Sequence, residues 1–137
     1  MSQVTSTSDT RVLVVDDNLL NRKLVCAILK NYDLKYDIAE NGKIALDLFL
    51  THKYNLVLMD IQMPIMNGID CTSKIRKHER ESNIQSPTPI IAVTAFVLEN
   101  DKENCFNAGM NEFIAKPFKA EDLVEIMSKY IELKSIA

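Results

Sequence analysis

Five short apolar runs alternate with five amphipathic stretches, and this alternation restricts the fold more than any other feature of the chain. The runs are VLVV (12–15), YDIA (36–39), NLVLM (55–59), PIIAV (89–93) and EFIA (112–115). They are continuous and rich in Val, Ile and Leu, as parallel strands covered on both faces require. The stretches near 19–31, 42–51, 67–80, 98–107 and 120–133 repeat apolar residues at helical spacing. Asn41-Gly42, Asn67-Gly68 and Ala108-Gly109 punctuate the joints. The connections are too long for hairpins and suit right-handed crossovers, so an α/β open parallel sheet with helices on both faces is predicted. Glu79 to Ser86 (ERESNIQS) is polar and reads as a surface loop before the fourth strand. Residues 11–133 are expected to form the domain, with 1–10 a flexible arm and 134–137 a tail.

The chain has 137 residues, enough for one domain with a sizeable core. Its net charge of −3 offers no general attraction to nucleic acid or an anionic membrane. No apolar run approaches the roughly 20 residues that span a bilayer. The opening MSQVTSTSDT lacks the apolar core of a signal peptide, so a cytoplasmic location is expected. Cys26, Cys71 and Cys105 are scattered and odd in number, which argues against a disulfide framework or a zinc site.

Open α/β sheets bind ligands outside the carboxyl ends of their strands. The residues just past each apolar run are therefore informative. Asp16 and Asp17 come after the first, Asp60 after the third, Thr94 after the fourth and Lys116 after the fifth. The second ends in Glu40-Asn41, at the expected sheet edge. Singly, each acid would be read as a helix cap or a solvated turn. Together, three carboxylates on one edge repel unless a cation joins them. Oxygen-only ligands favour a hard cation such as Mg²⁺, which completes its shell with water and phosphate oxygen. A lysine adds a second positive point for a phosphoryl group, and a hydroxyl adds a donor. A carboxylate can itself be the nucleophile, forming an aspartyl phosphate.

VDDN (15–18), LMDIQMPIMNG (58–68), TA (94–95) and KP (116–117) resemble the receiver domain of two-component response regulators, over roughly residues 11 to 133. DIQMP, AVTAF and NAGMNEFIAKP are most similar to receivers attached to hybrid histidine kinases. The resemblance implies a flavodoxin-like (βα)5 fold with strand order 2-1-3-4-5. It implies a monomeric phosphoacceptor that assists its own phosphorylation and slow dephosphorylation, and is not an enzyme. Asp60 would accept the phosphoryl group from a histidine kinase or a histidine phosphotransfer protein. Asp17 would ligate Mg²⁺, with Asp16, Asp60 and the backbone carbonyl of Gln62. Lys116 would hold a phosphoryl oxygen, and Thr94 would hydrogen-bond the bound phosphate. Phe113 matches the switch aromatic, here without the hydroxyl of a tyrosine. The fourth and fifth helices with the fifth strand would form the switched face. Lys116-Pro117 falls where the family has a cis peptide. Gln62 and Phe96 stand where side chains govern water access to the phosphate, and the bulk of Phe96 points to slow hydrolysis.

A metal-dependent phosphatase with an aspartate nucleophile is the alternative. It would want an acid just after Asp60, where Ile61 and Gln62 stand. A nucleotide-binding module would want clustered glycines, and the three here are scattered. Met59, Met63 and Met66 read as packing residues, and His52 and His78 as surface residues. On a helical wheel, Leu20, Leu24, Ile28 and Asn31 gather on one side, with Val25 at its border, and should face the sheet. Leu19, Arg22, Cys26 and Lys30 gather opposite, with Lys23 beside them. Ordinary surface scatter would explain two apolar residues among bases. A docking patch for the phosphoryl donor, as in the resembling receivers, is the functional reading.

Overall fold

VLVV lies within β1 (Arg11–Val15), the strand from which the sheet is built outward. α1 (Leu19–Lys30), β2 (Lys35–Ala39), α2 (Gly42–Thr51), β3 (Leu56–Met59) and α3 (Gly68–Glu81) come next. Then come β4 (Ile90–Thr94), α4 (Glu99–Ala108), β5 (Glu112–Ala115) and α5 (Ala120–Met127). The computed structural model describes residues 9–95 and 99–133, with the Glu99 side chain left aside. The expectations for residues 1–8, Phe96, residue 98 and 134–137 lie outside these. All strand pairings are parallel, in the order β2-β1-β3-β4-β5. This is the predicted order, and β2 is an edge strand.

Because each strand is covered on both faces, its residues alternate between two cores. Leu13, Val57, Met59 and Ile90 join α2 and α3 on one side; Val14, Leu58, Ile91 and Val93 join α1 and α5 on the other. Asn18, Asn41 and Asn67 cap α1, α2 and α3, each side-chain oxygen accepting a backbone N–H three residues on. Gly109 ends α4 with φ +111°, a left-handed conformation that glycine adopts at least cost.

Three expectations fail. First, the surface loop begins later than ERESNIQS suggests. α3 runs through Glu81, and Glu79 is buried. Its carboxylate accepts from Arg76 Nη1 (2.6 Å) and from the Thr88 N–H (2.8 Å), which offsets the cost of burying a charge. Arg76 also donates to the Gly109 carbonyl and to Asn111 Oδ1, which in turn accepts the Ile90 N–H. Second, α5 stops at Met127 rather than 133. Hydrogen bonds tighten there to a three-residue spacing, Lys129 to Ile126 and Tyr130 to Met127. Third, α1 buries Val25, Cys26, Ile28 and Leu29. Leu20 and Leu24, expected against the sheet, are 76% and 52% exposed, while Cys26, expected outward, is 6% exposed. The adjacent pairs Val25-Cys26 and Ile28-Leu29 make a tighter apolar stripe than the one drawn through Leu20 and Leu24.

All three thiols are buried. Burial pushes the thiol of Cys71 up to about 12; burial, aided by Asp101, pushes that of Cys105 up to about 11. The thiolate is the reactive form, so at pH 8 only about one part in 10³ to 10⁴ of either would be ionised. Iodoacetamide at pH 8 should therefore label these two in the native protein at least about a hundredfold more slowly than in denaturant. Equal rates, read by intact mass and peptide mapping, would contradict the burial.

Candidate metal and phosphoacceptor site

β1 and β3 lie side by side, with Val15 opposite Met59, so the residues just beyond them emerge together at the carboxyl edge. The Asp60 N–H donates to the Val15 carbonyl at 2.9 Å, and the Asp16 N–H donates to Ala39 of β2 at 3.1 Å. Strand register thus sets Asp16 and Asp60 in one hollow, and both are buried. Asp17 is exposed at its rim. Carboxylate oxygens of Asp16, Asp17 and Asp60 lie within 4.8 Å of one another.

Lys116 arrives from β5. Its N–H donates to the Thr94 carbonyl at 2.8 Å, which ties the β4 and β5 ends together. Its ammonium bonds Asp16 Oδ2 at 2.5 Å and stands 3.5 Å from Asp60 Oδ2. Lys116-Pro117 is cis. Asp60 Oδ1 accepts the Ile61 N–H at 2.7 Å, and the Thr94 hydroxyl favours the charged carboxylate. Burial pushes the Asp60 carboxyl above its usual range, and the neighbouring Asp16 adds to this; Lys116, the Ile61 N–H and Thr94 pull the other way. Its proton is therefore bound more tightly in the folded state, and the charged form opposes folding above its pKa.

Two residues outside the predicted metal and phosphoryl set brace this hollow. The Asn18 N–H bonds Asp16 Oδ1 at 2.9 Å, and Arg22 Nη1 bonds the Asp16 carbonyl at 2.9 Å. The N-cap preference for Asn at the start of α1 was the signal for the first. Beyond Asp60 the chain turns tightly. The Met66 N–H donates to the Pro64 carbonyl around Ile65, which has φ +71° and is 78% exposed. A β-branched residue in that region is strained. Gly68 then brings α3 back onto Asp60; a Cβ there would stand 2.0 Å from the Asp60 carbonyl oxygen.

Of the remaining sequence-predicted residues, Gln62 lines a concavity with Asp17 beside the acids. Phe113 on β5 is half-buried, with the Lys102 ammonium 5.6 Å from its ring centroid. Leu19, Arg22, Lys23 and Cys26 line one groove of about 490 Å³ with Tyr36 and Ile38, Cys26 being its buried floor. A second concavity of about 460 Å³ joins Leu24 and Val25 to Lys116 and Pro117. The methionines are packing residues, as predicted: Met59 is buried and Met63 and Met66 pack on the core. His52 is exposed, and His78 half-buried.

The donor set fits a hard divalent cation, since all its ligating atoms are oxygens and two of the three acids are shielded from bulk water. No helix among the described residues is long and apolar enough to cross a membrane.

Comparison with known proteins agrees with this geometry. Hybrid signal transduction histidine kinase F of Dictyostelium discoideum is 36% identical over 125 residues, which cover 91% of this chain and 11% of that protein. The chain spans between 4% and 14% of the length of such curated relatives. The receiver domain of sensor histidine kinase PA1611 from Pseudomonas aeruginosa, solved with a magnesium ion coordinated in its active site cleft, superposes with a TM-score of 0.78. It is 34% identical, over 88% of this chain and 96% of that one. A chain in the co-crystal structure of the Saccharomyces cerevisiae phosphotransfer protein Ypd1 and the receiver domain of Ssk1 gives a TM-score of 0.83. It is 28% identical, over 88% of both chains. The family model for the response regulator receiver domain matches residues 12–128, and with sheet order, acid hollow and lysine all in agreement, this chain belongs to that family.

Proposed function

We propose that the chain is a phosphorelay receiver, taking a phosphoryl group onto Asp60 from a phosphohistidine of a histidine kinase or histidine phosphotransfer protein. One observation carries this reading: the Asp60 carboxylate sits in a buried hollow with Lys116 3.5 Å away and two further carboxylates in reach. One Asp60 oxygen attacks phosphorus, the P–N bond breaks, and its electron pair returns to the donor imidazole. Such transfer needs mostly positioning and charge stabilisation. The Ile61 N–H holds Oδ1, leaving Oδ2 toward Lys116 as the attacking oxygen. Mg²⁺ bound by Asp16, Asp17, Asp60 and the Gln62 carbonyl would neutralise charge on the transferring group. Lys116 trades its bond with Asp16 for a phosphoryl oxygen, and Thr94 donates to the product. Phe113 follows Thr94, and the faces of α4, β5 and α5 carry the change outward. The domain acts as acceptor and switch rather than as an enzyme, and its setting is the cytoplasm.

The phosphatase alternative gains nothing from the geometry: the residue after Asp60 is the buried Ile61. Donor docking uses the α1 side of the hollow. Leu19, Arg22 and Lys23 open onto it, and the exposed Leu20 and Leu24 enlarge the patch. Cys26 contributes only from beneath. Ypd1 was crystallised with a receiver of this family, and a phosphotransfer protein is the partner this patch suits.

Incubation with a small acyl-phosphate donor and Mg²⁺, then intact mass, tests the proposal. A lasting single phosphate addition supports it, while free phosphate released with rapid turnover supports a phosphatase. Asp17→Ala should weaken Mg²⁺ binding at least about tenfold, ~1.4 kcal/mol, and slow labelling. Apo stability should hold or rise, because one of three like charges is gone. Wild-type Mg²⁺ affinity in a titration would remove Asp17 from the ligand set.

A further inference from the structure

We infer that Lys102 is a positioning residue of the switch: its ammonium, seated over the Phe113 ring, latches α4 to β5 and holds the ring in its resting place. This rests on the receiver reading and names how that switch is restrained in this chain. The ammonium lies 5.6 Å from the ring centroid, within the ~6 Å at which a cation is attracted to an aromatic face.

α4 needs such a latch. Its sequence ENDKENCFNA is mostly polar, and Cys105 is its one buried side chain among those described. Lys102 and Cys105 are three residues apart and so share one face of the helix. The C-terminal end of α4 is clamped separately, because Arg76 Nε bonds the Gly109 carbonyl at 3.0 Å and Arg76 Nη2 bonds Asn111. α4 is thus clamped at its C-terminal end, and the Cys105 thiol and the Lys102 cation are among its contacts further along.

Phe113 has somewhere to go. Register pairs it with Ala92, and pairs Thr94 with Ala115, two residues further on the same face of the sheet. Ala92 and Ala115, the sheet neighbours of the ring and of Thr94 on that face, are both small. Phe113 also lacks the hydroxyl that would give a tyrosine a polar partner of its own. Lys102 supplies the restraint from the neighbouring helix instead. A ring that follows Thr94 toward the phosphate must leave the ammonium, so the latch favours the unphosphorylated arrangement.

The test compares Lys102→Met, which keeps the stem and removes the charge, with Lys102→Arg, which keeps the charge. In metal-free protein, the ring resonances of Phe113 should shift in Lys102→Met and return toward wild type in Lys102→Arg. Beryllofluoride with Mg²⁺ then serves as the phosphoryl mimic. Its half-saturating concentration should fall about two- to fivefold in Lys102→Met and be restored in Lys102→Arg. Unchanged ring resonances in Lys102→Met overturn the latch. Altered resonances with an unchanged midpoint also overturn it, because the contact would then be structural only. If wild-type protein neither binds beryllofluoride nor accepts phosphate at Asp60, the receiver reading fails instead, and the metal-free resonances still report on the contact.

Discussion

Asp60→Asn is expected to abolish labelling by any phosphoryl donor while making the unliganded domain more stable. The amide nearly matches the carboxylate in shape and still accepts the Ile61 N–H, so the hollow keeps its form. It is not nucleophilic, and no aspartyl phosphate can form. The gain in stability comes from the sign of the Asp60 shift. Burial, and then Asp16, raise its pKa, so the folded state binds the proton more tightly than the unfolded chain. At neutral pH the wild-type charge opposes folding, and this penalty fades as pH falls through the folded pKa. Asparagine removes it, and Lys116 keeps its closer partner Asp16. A higher melting temperature than wild type is expected at pH 7, with the difference shrinking in acid. Label that persists on the mutant would move the acceptor elsewhere, and a lowered melting temperature would mean the Lys116 attraction outweighs burial.

Gly68→Ala should be the most damaging single-methyl change near the site. The added Cβ would stand 2.0 Å from the Asp60 carbonyl oxygen and 2.9 Å from both the Asp60 carbonyl carbon and Met59 Cγ. Two of these are backbone atoms, fixed on one side by the Asp60 N–H bond to Val15 and on the other by the Gly68 N–H bond to Ile61. Neither can yield without moving Asp60. Overpacking of this severity costs about 3 kcal/mol or more. The shift of Asp60 should slow phosphorylation as well, by around a hundredfold for a displacement near 1 Å. Urea denaturation and donor labelling measure the two effects. A variant within about 0.5 kcal/mol of wild type, the scale of ordinary surface changes, would refute the close approach.

The acid hollow was readable in the sequence because each of its residues lies at or just past the end of an apolar run. In a parallel sheet the end of a strand is also the edge where ligands bind, so Asp16, Asp17, Asp60, Thr94 and Lys116 could be placed together. The orientation of α1 was not readable in the same way. Leu20 and Leu24 are as apolar as Val25 and Leu29, and a wheel counts them alike; only the neighbouring strands decide which stripe is covered. Glu79 was misplaced for a related reason. A glutamate in a polar run looks solvated, and its burial depends on Arg76 three residues before it and the Thr88 N–H nine residues on. The turn at Ile65 left no trace either, since the left-handed region is ordinarily filled by Gly or Asn.

The Arg76 network lies at the amino edge of the sheet, at the start of β4 and β5, as far from the acids as the strands allow. Its bonds to Gly109 and Asn111 span 33 and 35 residues and join α3 to the α4–β5 turn, while Asn111 holds the Ile90 N–H at the start of β4. Arg76 and Glu79 neutralise each other there, so that edge is held by a closed set of partners. Open and closed charge are therefore lodged at opposite ends of the same strands. The carboxyl edge carries the charges that a bound phosphoryl group would rebalance, while the amino edge keeps its ion pair of Arg76 and Glu79 closed and shielded.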